Sequence, residues 1–400
     1  MSQHLPSSTH APALEGSDWP RIWLLILAGI ASAMQIGKVP AALALLRTQF
    51  GVGLVASGWI LSMFSAVGAA LGSVAGLLAD RFGARRVTVA GLLLMGLAAA
   101  VGAHAQHASV LLASRAVEGS GFVVTVVAVP SLLLGAAVGR DRHLVPSLWG
   151  TYMPLGMAVA LAATPLAMSA WGWRAWWECN AALLVALGIG VAWSNARGAV
   201  AVMPRAATFS ATLHAQLRRP ATLVLALIFA CYTFQFLSVL GFLPTILQER
   251  GRSRAAAGTL TAVAVLANAF GNLAAGWLYM RRVAPRTLIC TAMLAMAATE
   301  LVIFSSRFSP PLQYGASIAF SAIAGLVPAS IFITIPDVAP VDARSTMMGI
   351  AVQASHIGQL IGPPIVAAVA AALGGWPASP LVLVPVAALG LLLAWALRAR

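Results

Sequence analysis

Gly76-Leu77-Leu78-Ala79-Asp80-Arg81-Phe82-Gly83-Ala84-Arg85-Arg86 is a short charged loop that follows a long apolar run. Two hundred residues later, Gly276-Trp277-Leu278-Tyr279-Met280-Arg281-Arg282-Val283-Ala284-Pro285-Arg286 follows another such run. Gly, Leu, Arg, Ala and Arg recur in register between the two. Further out, Gly150 and Pro165 return as Gly349 and Pro364, and the turn Gly172-Trp173 returns as Gly375-Trp376, at offsets of 199 to 203. A chain that echoes itself at half its length is built from two like units placed side by side.

Composition says what those units are made of. Hydrophobic residues make up 60% of the 400, charged residues only 8%, and the mean hydropathy is +0.91. That leaves too little polar surface for a water-soluble fold of this length. A bilayer core of about 30 Å takes roughly 20 apolar residues per helix. The chain offers twelve such runs, near 22–43, 54–79, 87–105, 109–136, 146–170, 177–195, 221–247, 256–279, 287–306, 312–335, 347–373 and 379–397. The expected fold is an all-α membrane protein with twelve transmembrane helices in two six-helix pseudo-symmetric bundles. Residues 1–20 are polar and rich in Pro and Ser, without the basic start and cleavage site of a signal peptide, and are expected to form a disordered cytoplasmic tail. The bundles are expected at 21–195 and 221–400, with a cytoplasmic linker at 196–220.

The net charge of +14 is compatible with nucleic-acid binding in amount but not in placement. With both termini cytoplasmic, sixteen arginines fall in inside segments and six, Arg47, Arg174, Arg250, Arg252, Arg254 and Arg307, fall outside. This excess follows the positive-inside rule of a bacterial-type inner membrane, with lipid rather than nucleic acid as the partner. Cys179, Cys231 and Cys290 sit in or beside apolar runs and suit packing better than a disulfide or a metal site. Paired carboxylates, metal spacing, a nucleophile elbow and a phosphate loop are all missing from the sequence, so neither an enzyme nor an ATP-driven pump is expected, nor any cofactor.

GLLADRFGARR, in its position after the second run, matches the signature loop G-x-L-a-D-R-x-G-r-R of the major facilitator superfamily. The resemblance implies that Gly76, Asp80, Arg81, Gly83 and Arg86 form a cytoplasmic latch, with Asp80 against the start of the eleventh helix near Ser345. The alternative for the arginines is that they only set topology. In the second copy Met280 replaces the aspartate, which implies an asymmetric latch. Arg115-Ala116-Val117-Glu118-Gly119-Ser120-Gly121 resembles the superfamily's R-x-x-Q-G-x-G motif of the fourth helix, with Glu118 in place of Gln. Residues three apart share a helix face, so Arg115 and Glu118 can pair. The resemblance implies a proton-coupling role for Arg115 and Glu118; a purely structural salt bridge is the alternative. The fifth helix, with Trp149, Tyr152 and Pro154, lacks the G-x-x-x-G-P-x-x-G-G pattern of drug/proton antiporters and resembles the cyanate and nitroimidazole permease-like branch.

Lys38 is the single lysine of the chain and stands inside the first apolar run, one turn from Gln35. The resemblance implies that the first and fourth helices line one cavity, which brings Lys38 to Arg115 and Glu118. Snorkelling of Lys38 to the interface is the alternative. Two cations against one carboxylate favour an anionic substrate. In the second half, Tyr232 and Gln235, Asn268 and Asn272, and Gln353 and His356 form neutral polar stripes at helical spacing. The expected substrate-binding residues are thus Gln35, Lys38, Arg115, Tyr152, Gln235 and His356. Glu300 is expected to be structural or near the outer interface. The function expected is proton-coupled uptake of a small anion by alternating access. Efflux of a drug or metabolite by proton antiport, and a membrane sensor that transports nothing, are the alternatives.

Overall fold

The computed structural model describes residues 16–139, 141–194, 206–340 and 343–397. The described residues are almost entirely helical, with no strand among them. Among the described residues, eleven apolar helical runs are long enough to cross a membrane. One of them contains two crossings, because Tyr152–Trp193 holds Gly172 at φ 80°, ψ 163°. A side chain is strongly disfavoured at that φ, and glycine lets the chain reverse there without a loop. The helices are α1 (Trp19–Phe50), α2 (Leu54–Leu71), α3 (Ala84–Ala103), α4 (Ala108–Ala136), α5 and α6 (152–171 and 173–193), α7 (Pro220–Glu249), α8 (Arg254–Met280), α9 (Pro285–Ile303), α10 (Pro310–Val338), α11 (Arg344–Ala372) and α12 (Pro380–Ala396).

The duplication read from sequence reappears as paired contacts. Within the first half, Gly156 of α5 sits on the carbonyl of Ile30 in α1; within the second, Gly358 of α11 sits on that of Ala230 in α7. Between the halves, Gly58 of α2 lies against the carbonyl of Pro363 in α11, and Gly258 of α8 against that of Leu161 in α5. Small residues at such crossings let backbones approach, which drives helix association where lipid removes the usual hydrophobic force.

Several boundaries differ from the sequence reading. α1 continues to Phe50, because Gly51 closes it in the left-handed region with its N–H on the carbonyl of Arg47. The second run is not continuous: Leu54–Ser62 passes through a 3-10 turn, Met63–Ser65, into Ala66–Leu71, and a separate helix Ala75–Phe82 follows. The expected linker contains a helix, Ala206–Leu217. Expectations for residues 1–15 and 195–205 fall outside the described residues.

Two arginines at the end carrying Trp173, Arg174 and Arg250, have structural partners. Arg174 donates to the carbonyl of Ala105, just past α3, at 3.3 Å, and Arg250 to that of Ile303, the last residue of α9, at 3.3 Å. Arg85, at the opposite end, donates to the carbonyls of Val191 and Ala192 in the last turn of α6. Each guanidinium answers the unpaired carbonyls and partial negative charge of a helix C-terminus.

Candidate substrate and proton site

The fully buried charged side chains of the first half converge on one point. Lys38 from α1 and Arg115 and Glu118 from α4 are each 0% exposed. Lys38 Nζ lies 3.3 Å from Glu118 Oε2, and Arg115 Nη1 donates to the same oxygen. α4 places its two members on one face by their three-residue spacing, and Gly119 beside them lets α4 approach the 3-10 turn of α2. A Cβ at Gly119 would collide with the carbonyl of Phe64. The Phe64 ring lies under the Arg115 guanidinium at 4.5 Å, and the Trp177 ring of α6 lies under Lys38 at 4.6 Å. Aromatic faces contribute roughly 2 kcal/mol or more to a desolvated cation.

The hydrogen bonds are uneven in a way that matters chemically. Lys38 Nζ donates to Gln35 Oε1 at 2.6 Å. Arg115 Nε and Nη2, and Glu118 Oε1, have no hydrogen-bond partner among the described residues. The cluster carries one net positive charge and keeps donors in reserve, an arrangement suited to receiving an anionic oxygen pair.

The other expected site residues are dispersed. Gln35 belongs to the cluster. His356 of α11 is buried between the halves, against Gly68 of α2 and 6.4 Å from the Phe122 ring, which lies 5.1 Å from Phe64. A run of rings therefore leads from Arg115 to the second half. Gln235 is the positional counterpart of Gln35, and both donate to the carbonyl four residues earlier, but Gln235 turns towards Met293 of α9. Ser238 stands where Lys38 stands in the first half and donates to the carbonyl of Phe234. Tyr152 stacks on Trp149 at 4.2 Å, and this pair covers Gly29 of α1. Nine residues separate Gly29 from Lys38, about 13.5 Å along the helix, so Tyr152 is not brought to the cluster.

The polar stripes of the second half bind helices together. Asn268 Nδ2 donates to Tyr232 Oη at 3.4 Å and to the carbonyl of Ser321 at 3.1 Å, joining α8 to α7 and α10. Gln353 Nε2 donates to the carbonyls of Ala69 and Ala70 in α2. Glu300 is fully buried in α9, with neither carboxylate oxygen partnered among the described residues. Of the expected latch, Gly83 adopts φ 86° ahead of α3, Arg81 lies over Phe82, and Arg86 is exposed. The side chains of Asp80 and Ser345 lie outside the described ones.

Sequence reasoning missed Phe64, Trp177 and Asn180. The last accepts from Gln35 Nε2 at 3.4 Å and donates through its own Nδ2 to the carbonyl of Trp176 at 2.8 Å. An asparagine and aromatic residues within an apolar run carry no signal of their own.

The family model described as Major Facilitator Superfamily matches residues 25–352 and, a second time, residues 224–400. The chain belongs to the major facilitator superfamily. Its solved neighbours share the fold at low identity. A bacterial homologue of the human lysosomal transporter Spinster, inward-facing and unoccupied, superposes with a TM-score of 0.79 at 14% identity over 94% of this chain and 97% of that one. A D-xylose–proton symporter superposes at 0.77 with 14% identity over 94% and 97%. Among curated proteins, a putative niacin/nicotinamide transporter of Bacillus subtilis (strain 168) is 26% identical over 87% of this chain and 88% of its own length. The 3-(3-hydroxy-phenyl)propionate transporter of Escherichia coli (strain K12) is 27% identical over 91% and 88%. As a major facilitator superfamily member, the chain is a multi-pass secondary transporter of small solutes and not an enzyme.

Proposed function

We propose that the protein takes up a small organic carboxylate together with a proton, with residues 21–195 rocking against 221–400 and both termini in the cytoplasm of a bacterial-type inner membrane. The observation that carries this reading is the buried cluster, where two cations share a single carboxylate oxygen and Arg115 keeps Nε and Nη2 unpaired. Protonation of Glu118 removes the carboxylate that holds Arg115 and raises the net charge of the cluster from one to two. A substrate carboxylate then replaces Glu118 as the partner of Arg115, so each of proton and anion favours the other. That mutual dependence is the thermodynamic requirement for moving them together.

One curated relative is named a putative niacin/nicotinamide transporter and another a 3-(3-hydroxy-phenyl)propionate transporter; niacin and the propionate each join one carboxyl group to an aromatic ring, while nicotinamide carries an amide in its place. Phe64, Phe122 and His356 give this chain aromatic surface next to the cations. An aromatic monocarboxylate is therefore the substrate class assigned. Tyr152 and Gln235 have no part in this reading.

Proteoliposomes holding the purified protein test it with radiolabelled niacin and 3-(3-hydroxyphenyl)propionate as probes. With acid outside, at least one should accumulate, and a protonophore should abolish the accumulation. Glu118→Gln should still exchange substrate across the membrane without concentrating it. Uptake indifferent to the proton gradient would remove the coupling; concentration of either probe by Glu118→Gln would remove the role of that carboxyl.

A further inference from the structure

α2 stops at Leu71 and a new helix starts at Ala75, and backbone groups freed by the break are met by one side chain of the opposite half. In an unbroken helix the N–H of Ser73 would donate to the carbonyl of Ala69, and that of Val74 to the carbonyl of Ala70. Instead Val74 donates to the carbonyl of Leu71 at 2.9 Å, and Ser73 donates to Gln353 Oε1 of α11 at 3.3 Å. Gln353 Nε2 donates to the two vacated carbonyls, that of Ala69 at 2.9 Å and that of Ala70 at 3.0 Å. A single amide thus stands in the ladder where two backbone bonds would be. Glycines permit the approach: a Cβ at Gly349 would meet Ser73 Cα at 3.1 Å, and one at Gly72 would meet Gln353 Cα at 3.0 Å. Gly72 (φ −56°, ψ −38°) and Val74 (φ −92°, ψ −19°) keep a right-handed helical backbone, so little rotation separates this break from a regular helix.

We propose that Gln353 is an exchangeable clasp that closes the end of the molecule where α1 begins and α12 ends, its amide standing in for hydrogen bonds that α2 makes within itself once the halves part. The inference rests on the rocking of the two halves proposed above. As α11 withdraws, Ser73 turns its N–H back to Ala69 and Val74 turns its own to Ala70. α2 then runs unbroken into Ala75–Phe82, and the Gln353 amide is left to water. The same backbone groups are bonded in both states, so this end opens without stranding a carbonyl. Only the closed state uses Gln353, which makes this side chain the one that sets the balance between the two.

The test needs no substrate. In the purified full-length protein in nanodiscs, a pair of spin labels follows the closing end and backbone hydrogen exchange follows α2. With Cys179, Cys231 and Cys290 changed to Ala, Trp193→Cys at the end of α6 and Met280→Cys at the end of α8 carry the labels, at positions 85% and 75% exposed. With Gln353 in place two label distances should appear, and Gln353→Leu should lower the ratio of the short one to the long one about tenfold. Gln353→Glu keeps an acceptor for Ser73 but offers the carbonyls no N–H; it should lower the ratio too, and serves if the leucine variant does not accumulate. In both variants hydrogen exchange over residues 66–82 should stay as slow as in the parent or become slower, because α2 rewinds. A ratio that ignores Gln353, or exchange that its loss makes about tenfold faster, overturns the inference while leaving the rocking in place. A single label distance, unchanged in parent and variants, overturns both.

Discussion

The indole of Trp376 donates to Glu249 Oε2 at 2.6 Å, fixing the last residue of α7 to the turn that precedes α12. The first half repeats the clamp, with Trp173 donating to Gln49 Oε1 at 2.6 Å. Only one copy carries charge, and the other oxygen of Glu249 lies 3.9 Å from Arg47 of the opposite half. One clamp therefore holds its own half together, and the other reaches across.

Glu249→Gln should preserve the indole bond, since the amide oxygen accepts as Gln49 does. Glu249 is 48% exposed, so the lost ion pair contributes at most about 1 kcal/mol, and the thermal midpoint should barely move. Trp376→Ala removes a largely buried indole and should cost about 3–5 kcal/mol. Thermal unfolding in detergent compares the two; equal losses would mean that charge, and not packing, holds this end.

Gly119→Ala should be among the worst single-methyl additions to the chain, because the obstacle is the backbone of Phe64 and cannot rotate away. Overpacking of this kind costs about 1–3 kcal/mol. Gly276→Ala, where a Cβ meets nothing within 4 Å, should be neutral or slightly stabilising. Expression level and melting temperature of the two variants check this directly.

Lys38→Ala leaves Arg115 and Glu118 as a neutral pair and should raise KM for a carboxylate about tenfold or more, equivalent to about 1.4 kcal/mol. Initial rates in proteoliposomes measure it; an unchanged KM would take Lys38 out of substrate attraction.

Glu118→Ala leaves two buried cations with no counter-charge and should destabilise the fold by about 3–5 kcal/mol. Because the cluster is 0% exposed, the loss should be the same at low and high salt. A loss that disappears in high salt would place the cluster in contact with water.

What was legible in the sequence was whatever lipid makes expensive. Twelve apolar runs and a repeated loop are enough for the fold, and a lysine, an arginine and a glutamate inside apolar runs stand out because each charge costs about 2.5–3.5 kcal/mol near the bilayer centre. The 3-10 turn at Met63–Ser65 left no trace, since it arises where α2 meets Gly119 of α4 and not from local propensity. Asn180 was hidden for the opposite reason: a neutral amide in a membrane helix is common, and only its direction of donation gives it meaning. Tyr152 shows the limit of such reading, because an aromatic ring beside a proline looks the same in sequence whatever it meets, and in the fold it stacks on Trp149.

The unit positive charge of the Lys38, Arg115 and Glu118 cluster has an electrical consequence. Moving one charge through the membrane potential involves about 2.3 kcal/mol per 100 mV. In the cycle proposed above, with one proton per carboxylate, the proton would neutralise Glu118 while the anion cancelled one of the two cations, so the filled carrier would have the same charge as the empty one. Voltage would then act alike on the outward and inward strokes, and such a cycle would pass no current. Accumulation should follow the pH difference alone and be untouched when valinomycin and potassium clamp the potential.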